Sequence, residues 1–422
     1  MSYSEAISNL IENLFENSKR ASSKILFKRD GKSKGIKELA SDIIDSSNNI
    51  TRVQSAKEFF RSIDNLSDHE FKKLMVHLRD ERDINIERVK LAIKAYDDDN
   101  SEKNYTALQR ANVSERKILF RKLNSFNEST TYLVKLRERI LSSSSKNQSY
   151  KKIDNDLKTL FFDWFNRGFL VLKPIDWNTP ASILEKIIKY ESVHQINNWK
   201  ELRDRINSLD RRCFAFFHPA MGNEPLIFVE IALTSELPEN IDQILNTTRP
   251  TNNTNKLNKA IFYSISNCQR GLDGISFGNY LIKDVVRYIQ TEIPSIREFF
   301  TLSPVPDFMD WIKINNNDFY RDLNSNLSVE TIRENKKSLE DLVRRYLLVT
   351  NRKDKKPNDS VTRFHIGNGA SMYQINFLAD TSENALKHGC SFMINYRYDI
   401  SKIKRNQEMY AANGKIQHKK NI

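Results

Sequence analysis

Three cysteines in 422 residues, Cys213, Cys268 and Cys390, are too few and too far apart for a disulfide framework. They form no CxxC pair, so reduced thiols are expected. Histidine is scarce too: the seven present include no HxxxH or HExxH spacing, and no metal site is expected. With 11 glycines and 10 prolines the chain is neither collagenous nor dominated by linkers. No run approaches the roughly 18 apolar residues of a spanning helix, so no membrane segment is expected. The opening MSYSEAISNLIENLFENSKR holds three Glu and lacks the basic start and apolar core of a secretory signal. Residues 418–422 spell no peroxisomal tripeptide. These absences together leave a cytoplasmic location as the expectation.

What the chain has is charge. Hydrophobic residues make up 39% and charged residues 29%, a composition that folds in water, with length for two or three domains. The net charge of +13 and pI near 9.4 invite a nucleic-acid reading. Acids and bases are interspersed, however, as in KELRDRINSLDRR, and the densest basic run is the stretch 402–420. No recognition motif accompanies the charge, so no nucleic-acid partner is expected. The same positive field attracts small anionic ligands such as a CoA thioester.

The first 140 residues read as helices. Ile7, Leu10, Ile11, Leu14 and Phe15 form one apolar stripe. Ser67 and Glu70 make a capping box ahead of Phe71, Leu74, Met75 and Leu78. Helical patterns follow over 85–96, 101–110, 114–123 and 130–141, broken by the turn-rich DDDNSEK and NSFNES. His69 and His77 lie there without a chemical partner in view. Residues 1–165 therefore read as a helical packing or oligomerisation domain, which implies a homo-oligomer. Ser142 to Ser145 followed by Lys-Asn-Gln-Ser is the most linker-like stretch, and one more helix is expected over 153–165.

From Arg167 the texture becomes mixed, and 166–422 reads as a second domain. Candidate strands are 213–218, 226–234, 260–266, 299–303, 370–377 and 391–398. The fold class is therefore α+β, an all-α N-terminal part followed by a mixed α/β part.

The informative unit runs from Ala260 to Pro306: a strand (AIFYSIS), a glycine-rich turn, a helix and a second strand (FFTLSPVP). This is a βαβ unit, whose crossover is expected to be right-handed. Leu281, Ile282, Val285, Val286 and Ile289 give the helix its buried face. Gly271, Gly274 and Gly278 sit in the turn, where a missing Cβ lets backbone amides approach an anion at the helix N-terminus. The spacing is neither a Rossmann GxGxxG nor a Walker motif, so a plain tight turn remains an equal reading. In a parallel pair both strands end at the same sheet edge, where ligands of open α/β sheets bind. Ser303 ends the second strand there, and Pro304 is expected to stop the ladder. His365, in RFHIGNGASMYQINF, precedes a loop in which Gly367 and Gly369 flank Asn368, and its imidazole can move a proton near neutral pH. Local sequence alone leaves open a turn role for Ser303 and structural roles for His365 and for His218, in FFHPAMGNEPL.

Several long stretches together resemble malonyl-CoA decarboxylases: CFAFFHPAMGNEPLIFVEIALT, the βαβ stretch through TLSPVP, and FHIGNGASMYQINFLADTSENALKHGCSFMINYRYDI. RGFLVLKPIDW and the YESVH segment fit the same family, so the resemblance runs in order through 155–422. It implies a GNAT-like catalytic domain, in which an acyl-CoA lies across a splayed pair of parallel strands. It also implies decarboxylation of malonyl-CoA to acetyl-CoA and carbon dioxide without a metal or organic cofactor. The serine of the LSP motif and the histidine of FHxxNGA, here Ser303 and His365, would be catalytic, and Tyr398 of the NYRY stretch is tied to the same site. The acyl-CoA-binding stretch corresponds to Asp273, Gly274, Ile275, Ser276, Phe277, Gly278 and Asn279, next to Gly271. Animal members carry Glu at the position of Ser276, so Ser303 and His365 would be oriented by other contacts. An N-acyltransferase and a non-catalytic CoA-binding scaffold are the alternatives such a fold allows.

Overall fold

The computed structural model describes residues 34–126, 128–144, 150–246, 256–275, 277–349 and 356–420. The stripe expected from Ile7 to Phe15 lies outside them, as does Ser276. The chain divides into two compact units, 1–74 and 75–422.

The first unit contains α1 (Ile36–Asp45), α2 (Asn49–Asp64) and the start of α3 (Asp68–Asp80). Leu39, Ala40 and Ile43 of α1, and Ala56, Phe59, Phe60 and Ile63 of α2, are buried. Asn48 caps α2 by accepting from the Ile50 N–H. The capping box at Ser67 forms: its N–H donates to Glu70 Oε2 at 2.9 Å, and the Glu70 N–H donates back to Ser67 Oγ at 3.4 Å.

The second unit begins with helices. These are α4 (Ile86–Asp98), α5 (Glu102–Ala111), α6 (Glu115–Leu123), α7 (Ser129–Ser144) and α8 (Lys151–Trp164). Buried Arg116 joins α6 to α8 through Asp156 at 2.7 Å, and buried Arg137 joins α7 to α8 through Asp154 at 2.7 Å. The linker expected from Ser142 is helical as far as Ser144, where α7 ends, and its remainder, 145–149, lies outside the described residues. Ser142 Oγ donates to Glu138 O at 2.9 Å and Ser143 Oγ to Arg139 O at 2.8 Å, so these hydroxyls are satisfied within the helix.

The mixed part follows as β1 (Val171–Ile175), α9 (Ala181–Tyr190), α10 (Trp199–Ile206), β2 (Arg211–Phe217), β3 (Pro225–Thr234), α11 (Asp242–Leu245) and β4 (Lys259–Asn267). Next come α12 (Gly278–Glu292), β5 (Glu298–Thr301), β6 (Ser303–Pro304) and the helices α13 (Phe308–Asn315), α14 (Asn317–Ser325), α15 (Val329–Glu334) and α16 (Lys336–Leu348). The chain closes with α17 (Ser360–Gly367), β7 (Ser371–Asn376), α18 (Glu383–Gly389), β8 (Met393–Arg397) and α19 (Ile403–Asn413).

The strands form one sheet in the order β1-β2-β3-β4-β5-β8-β6, with β7 added to β8. Its pairs are antiparallel except β4 with β5. β3 is buried almost throughout, which is why it reads as an unbroken apolar run rather than an alternation. Ile183, Leu184 and Ile187 of α9 and Leu202 and Ile206 of α10 pack with Ala215, Phe217 and Phe228 of the sheet. Elsewhere Ala232, Ile261, Phe300 and Met393 pack with Ile241 and Ile244.

The stretch expected as one strand over 299–303 is two. β5 pairs with β4 only as far as Phe262 opposite Thr301, and the Leu302 N–H still reaches Phe262 O at 3.0 Å. The chain then leaves β4, and Ser303 and Pro304 pair with Ile394 and Met393 of β8. Pro304 thus does not end the pairing as expected; the strand drops β4 just before Ser303 and keeps β8, with which it already pairs at Phe300 opposite Arg397. The remainder of β4, residues 263–267, diverges from the strand beside it. This is the splayed parallel pair that a GNAT-like domain implies.

Candidate active site

The fork between β4 and β6 holds a cavity of about 440 Å³. Phe262, Ile265 and Asn267 line it from β4, and Ser303 and Pro304 from β6. Gly274, Ile275 and Phe277 of the glycine turn line it as well, so the turn and Ser303 face one space. A fourth wall comes from α17, whose Ser360, Val361, Phe364 and His365 share one helical face.

His365 is therefore helical, where the sequence suggested the approach to a loop. Asp359 caps α17, accepting from the Thr362 N–H and from Thr362 Oγ1 at 2.9 Å. The Asp-x-x-Thr spacing of Asp359 and Thr362 is the local signal for that helix start. Burial pushes the Asp359 carboxyl up to about 6.

The His365 ring is held at both nitrogens. Nε2 lies 3.0 Å from Ser303 Oγ, and Nδ1 lies 2.9 Å from the Tyr398 hydroxyl. The Ser303 hydroxyl donates to Thr301 Oγ1 at 2.9 Å. With that proton spent, Ser303 can only accept from His365, which puts the imidazole proton on Nε2. Nδ1 must then accept from the Tyr398 O–H. Tyr398, one residue past the end of β8 and two beyond Tyr396, meets the same ring, and the His365 ring stacks on Tyr396 with centroids 4.6 Å apart. The Tyr396 hydroxyl in turn lies 2.7 Å from Thr362 Oγ1. Thr301, Thr362 and Tyr396 were not singled out from the sequence. The period-two placement of the tyrosines in NYRY was the available clue.

Tyr398 lies behind His365, against Nδ1, and is not among the residues that line the cavity, the place of a positioning rather than a catalytic residue. Tyr398→Phe removes the donor to Nδ1 and frees the ring to take the other tautomer. Turnover is expected to fall roughly tenfold or more with little change in KM, as for other losses of a proton-transfer geometry. Steady-state kinetics on the folded variant check this.

Burial depresses the His365 imidazole to about 3, so the free protein holds it neutral. In the unfolded chain it titrates near its ordinary value of 6.5. The folded value is the lower, so this contribution to stability is complete above about pH 6.5. It is lost as pH falls toward 3, at about 1.4 kcal/mol per unit. Urea unfolding at pH 7 and pH 5 should show a smaller acid-induced loss for His365→Asn than for the unaltered chain. An equal loss would contradict this reading.

The glycines of the turn do different work. Gly274 has φ of +78° and lines the cavity. A Cβ at Gly271 would stand 1.9 Å from the Val134 carbonyl oxygen on α7, so this glycine admits a helix rather than a ligand. Asp273 is exposed beside the cavity lining, while Gly278 and Asn279 open α12.

Val193, on the connection after α9, also lines the cavity. Glu191 fixes that connection, accepting from the Val193 and His194 N–H groups, each at 2.8 Å, and from Ser264 Oγ on β4 at 2.7 Å. Burial lowers the His194 imidazole to about 4. His218 is satisfied structurally: the Ala220 N–H donates to Nδ1 at 3.1 Å, and Nε2 lies 3.1 Å from Trp164 O.

The family model for the malonyl-CoA decarboxylase C-terminal domain matches residues 168–422, and that for the N-terminal domain matches 83–165. The chain is 32% identical over 331 residues to mitochondrial malonyl-CoA decarboxylase of Anser anser anser, an alignment covering 69% of this chain and 65% of that one. To the mitochondrial enzyme of Mus musculus it is 30% identical over 354 residues, covering 75% and 72%. The matched length is thus just under two thirds of the goose protein. Among solved structures, malonyl-CoA decarboxylase from Rhodopseudomonas palustris superposes with a TM-score of 0.85 at 35% identity, covering 93% of this chain and 99% of that one. The protein of the same name from Agrobacterium vitis gives 0.84 at 38% identity, covering 91% and 97%.

Proposed function

The chain belongs to the malonyl-CoA decarboxylase family, and from that premise we propose that it cleaves malonyl-CoA to acetyl-CoA and carbon dioxide. The observation that carries this reading is the Ser303–His365–Tyr398 hydrogen-bond chain, whose first two members line a cavity at a strand fork. Breaking the carboxylate's C–C bond leaves an electron pair on the α-carbon, delocalised onto the thioester oxygen. The His365 Nε2–H is one donor for that oxyanion, and the Ser303 hydroxyl becomes a second once it turns from Thr301 toward the bound substrate, an effect of a few kcal/mol per donor. Ile227, Phe262, Pro304, Val361 and Phe364 make the surroundings apolar, which solvates a carboxylate poorly and favours release of a neutral product.

Each turnover consumes one proton. A substrate carboxylate beside His365 raises its pKa, so the imidazole takes up a proton as the substrate binds. That proton goes on Nδ1, and Nε2 delivers its own to the α-carbon, forming the new C–H bond and leaving the ring neutral with Nδ1 protonated; exchange with solvent after product release restores the resting tautomer. Tyr398 can donate to the neutral ring and accept from the charged one.

Residues 1–165 are proposed as the packing and oligomerisation domain of a homo-oligomer. In support, α4 buries none of its residues and exposes Ile86, Leu91 and Ile93. A cytoplasmic location belongs to the same reading, although the animal relatives are named as mitochondrial. Among the described residues no helix is long and apolar enough to cross a membrane.

The test is to incubate the purified protein with malonyl-CoA and follow acetyl-CoA by chromatography together with released carbon dioxide. Transfer of an acyl group to an added amine without carbon dioxide would establish an acyltransferase instead. Stabilisation by CoA with no product would establish a binding scaffold.

A further inference from the structure

The glycine turn is gripped from outside the sheet. Buried Arg137 of α7 donates from Nη1 to the Gly271 carbonyl at 2.8 Å while its Nε is held by Asp154. From α8, Lys158 reaches over the next glycine: a Cβ at Gly274 would lie 2.9 Å from its Nζ and 3.2 Å from its Cε. The half-buried Lys158 has no carboxylate partner among the described residues. The nearby acids are otherwise engaged, Asp154 by Arg137 and Asp156 by Arg116. Its Nζ lies 5.9 Å from the centroid of the Phe162 ring on the same helix, and no ion pair holds it among the described residues. An ammonium brought partly out of water without a counter-charge is costly unless an anion joins it.

Gly274 lines the same cavity as Ser303 and His365. A CoA thioester whose acyl group lies at Ser303 carries its phosphates away from that end, and the glycine turn is another wall of the same space. We propose that Lys158 is a substrate-binding residue, its ammonium pairing with a phosphate of CoA above the Gly274 turn. The helical part of the chain would thus complete the binding site rather than only support it. The proposal rests on the malonyl-CoA reading and assigns a phosphate contact within it.

The experiment compares the full-length chain with Lys158→Ala and Lys158→Arg on two substrates, malonyl-CoA and malonyl-pantetheine, which lacks the phosphates. Loss of a charge-assisted contact is expected to raise KM for malonyl-CoA roughly tenfold in Lys158→Ala with kcat within about twofold. Lys158→Arg should keep KM within about threefold of the unaltered chain, since it keeps the charge. Malonyl-pantetheine should show the same KM with all three proteins. An unchanged KM for malonyl-CoA in Lys158→Ala overturns the proposal, and so does an equal rise on both substrates, which would mean that Lys158 only shapes the turn. Calorimetric titration with CoA and with pantetheine reads the same contrast without turnover. If the unaltered chain bound CoA but released no carbon dioxide, the decarboxylase reading would fail while the Lys158 contact was still decided.

Discussion

His365→Asn is expected to cut kcat for malonyl-CoA roughly a hundredfold or more, the range in which a lost proton-transfer group is felt. The asparagine side chain ends near the position of Nδ1, so it keeps a partner for the Tyr398 hydroxyl, 2.9 Å from the imidazole in the structure. It does not reach Ser303 Oγ, 3.0 Å from Nε2. The substitution therefore removes the group that faces the cavity and spares the one behind it. Ser303→Ala removes the other half of the pair, and a fall of at least tenfold is expected from the loss of the acceptor that orients Nε2–H and of the hydroxyl that turns from Thr301 to the developing oxyanion. Both variants should retain the thermal transition of the folded chain to within a few degrees. Near-normal carbon dioxide release from either folded variant would defeat the mechanism. The double variant should lose less than the product of the single losses, because the two side chains share one hydrogen bond.

Gly271→Ala should destabilise the chain by about 2–3 kcal/mol, the cost of overpacking a site that has no room. The added methyl would fall 1.9 Å from the Val134 carbonyl oxygen and 2.9 Å from Val134 Cγ1. Backbone atoms cannot rotate away, so the turn or α7 must move. The same shift loosens the 2.8 Å bond from Arg137 to the Gly271 carbonyl and disturbs a turn whose Gly274 lines the cavity. A lower midpoint in thermal unfolding and a raised KM are expected together. Gly35→Ala serves as the control, since nothing lies within 4 Å of its added carbon. Equal stability of the two variants would show that the turn yields without cost.

Much of the fold was legible because it depends on local patterns. Ser67 and Glu70 spell a capping box and form one. The apolar runs of β3 and β4 read as central strands because both faces are covered. Helical stripes gave α4 to α8 to within a few residues. The misreadings share a cause. Ser142 and Ser143 read as linker because their helical back-bonds, to Glu138 and Arg139, leave no mark in composition. The turn expected after His365 stands at Asn368 and Gly369, but the helix that carries the histidine went unread, because glycines are local signals and the burial that holds α17 in place is not.

The sequence by itself determined the chemistry on offer, a serine after a strand and a histidine before an Asn-Gly pair, and the order of elements that carry them. Only the tertiary structure decided that they meet. Ser303 and His365 stand 62 positions apart, and their 3.0 Å contact exists because the chain deserts β4 after Thr301, opening a fork that α17 closes. The choice of tautomer was also decided there. It depends on Thr301 accepting from Ser303 and on Tyr398 standing behind the ring, neither of which is a property of any one segment. Propensity and periodicity act over a few residues, whereas a buried hydrogen-bond chain is specified by whichever distant side chains must satisfy one another away from water.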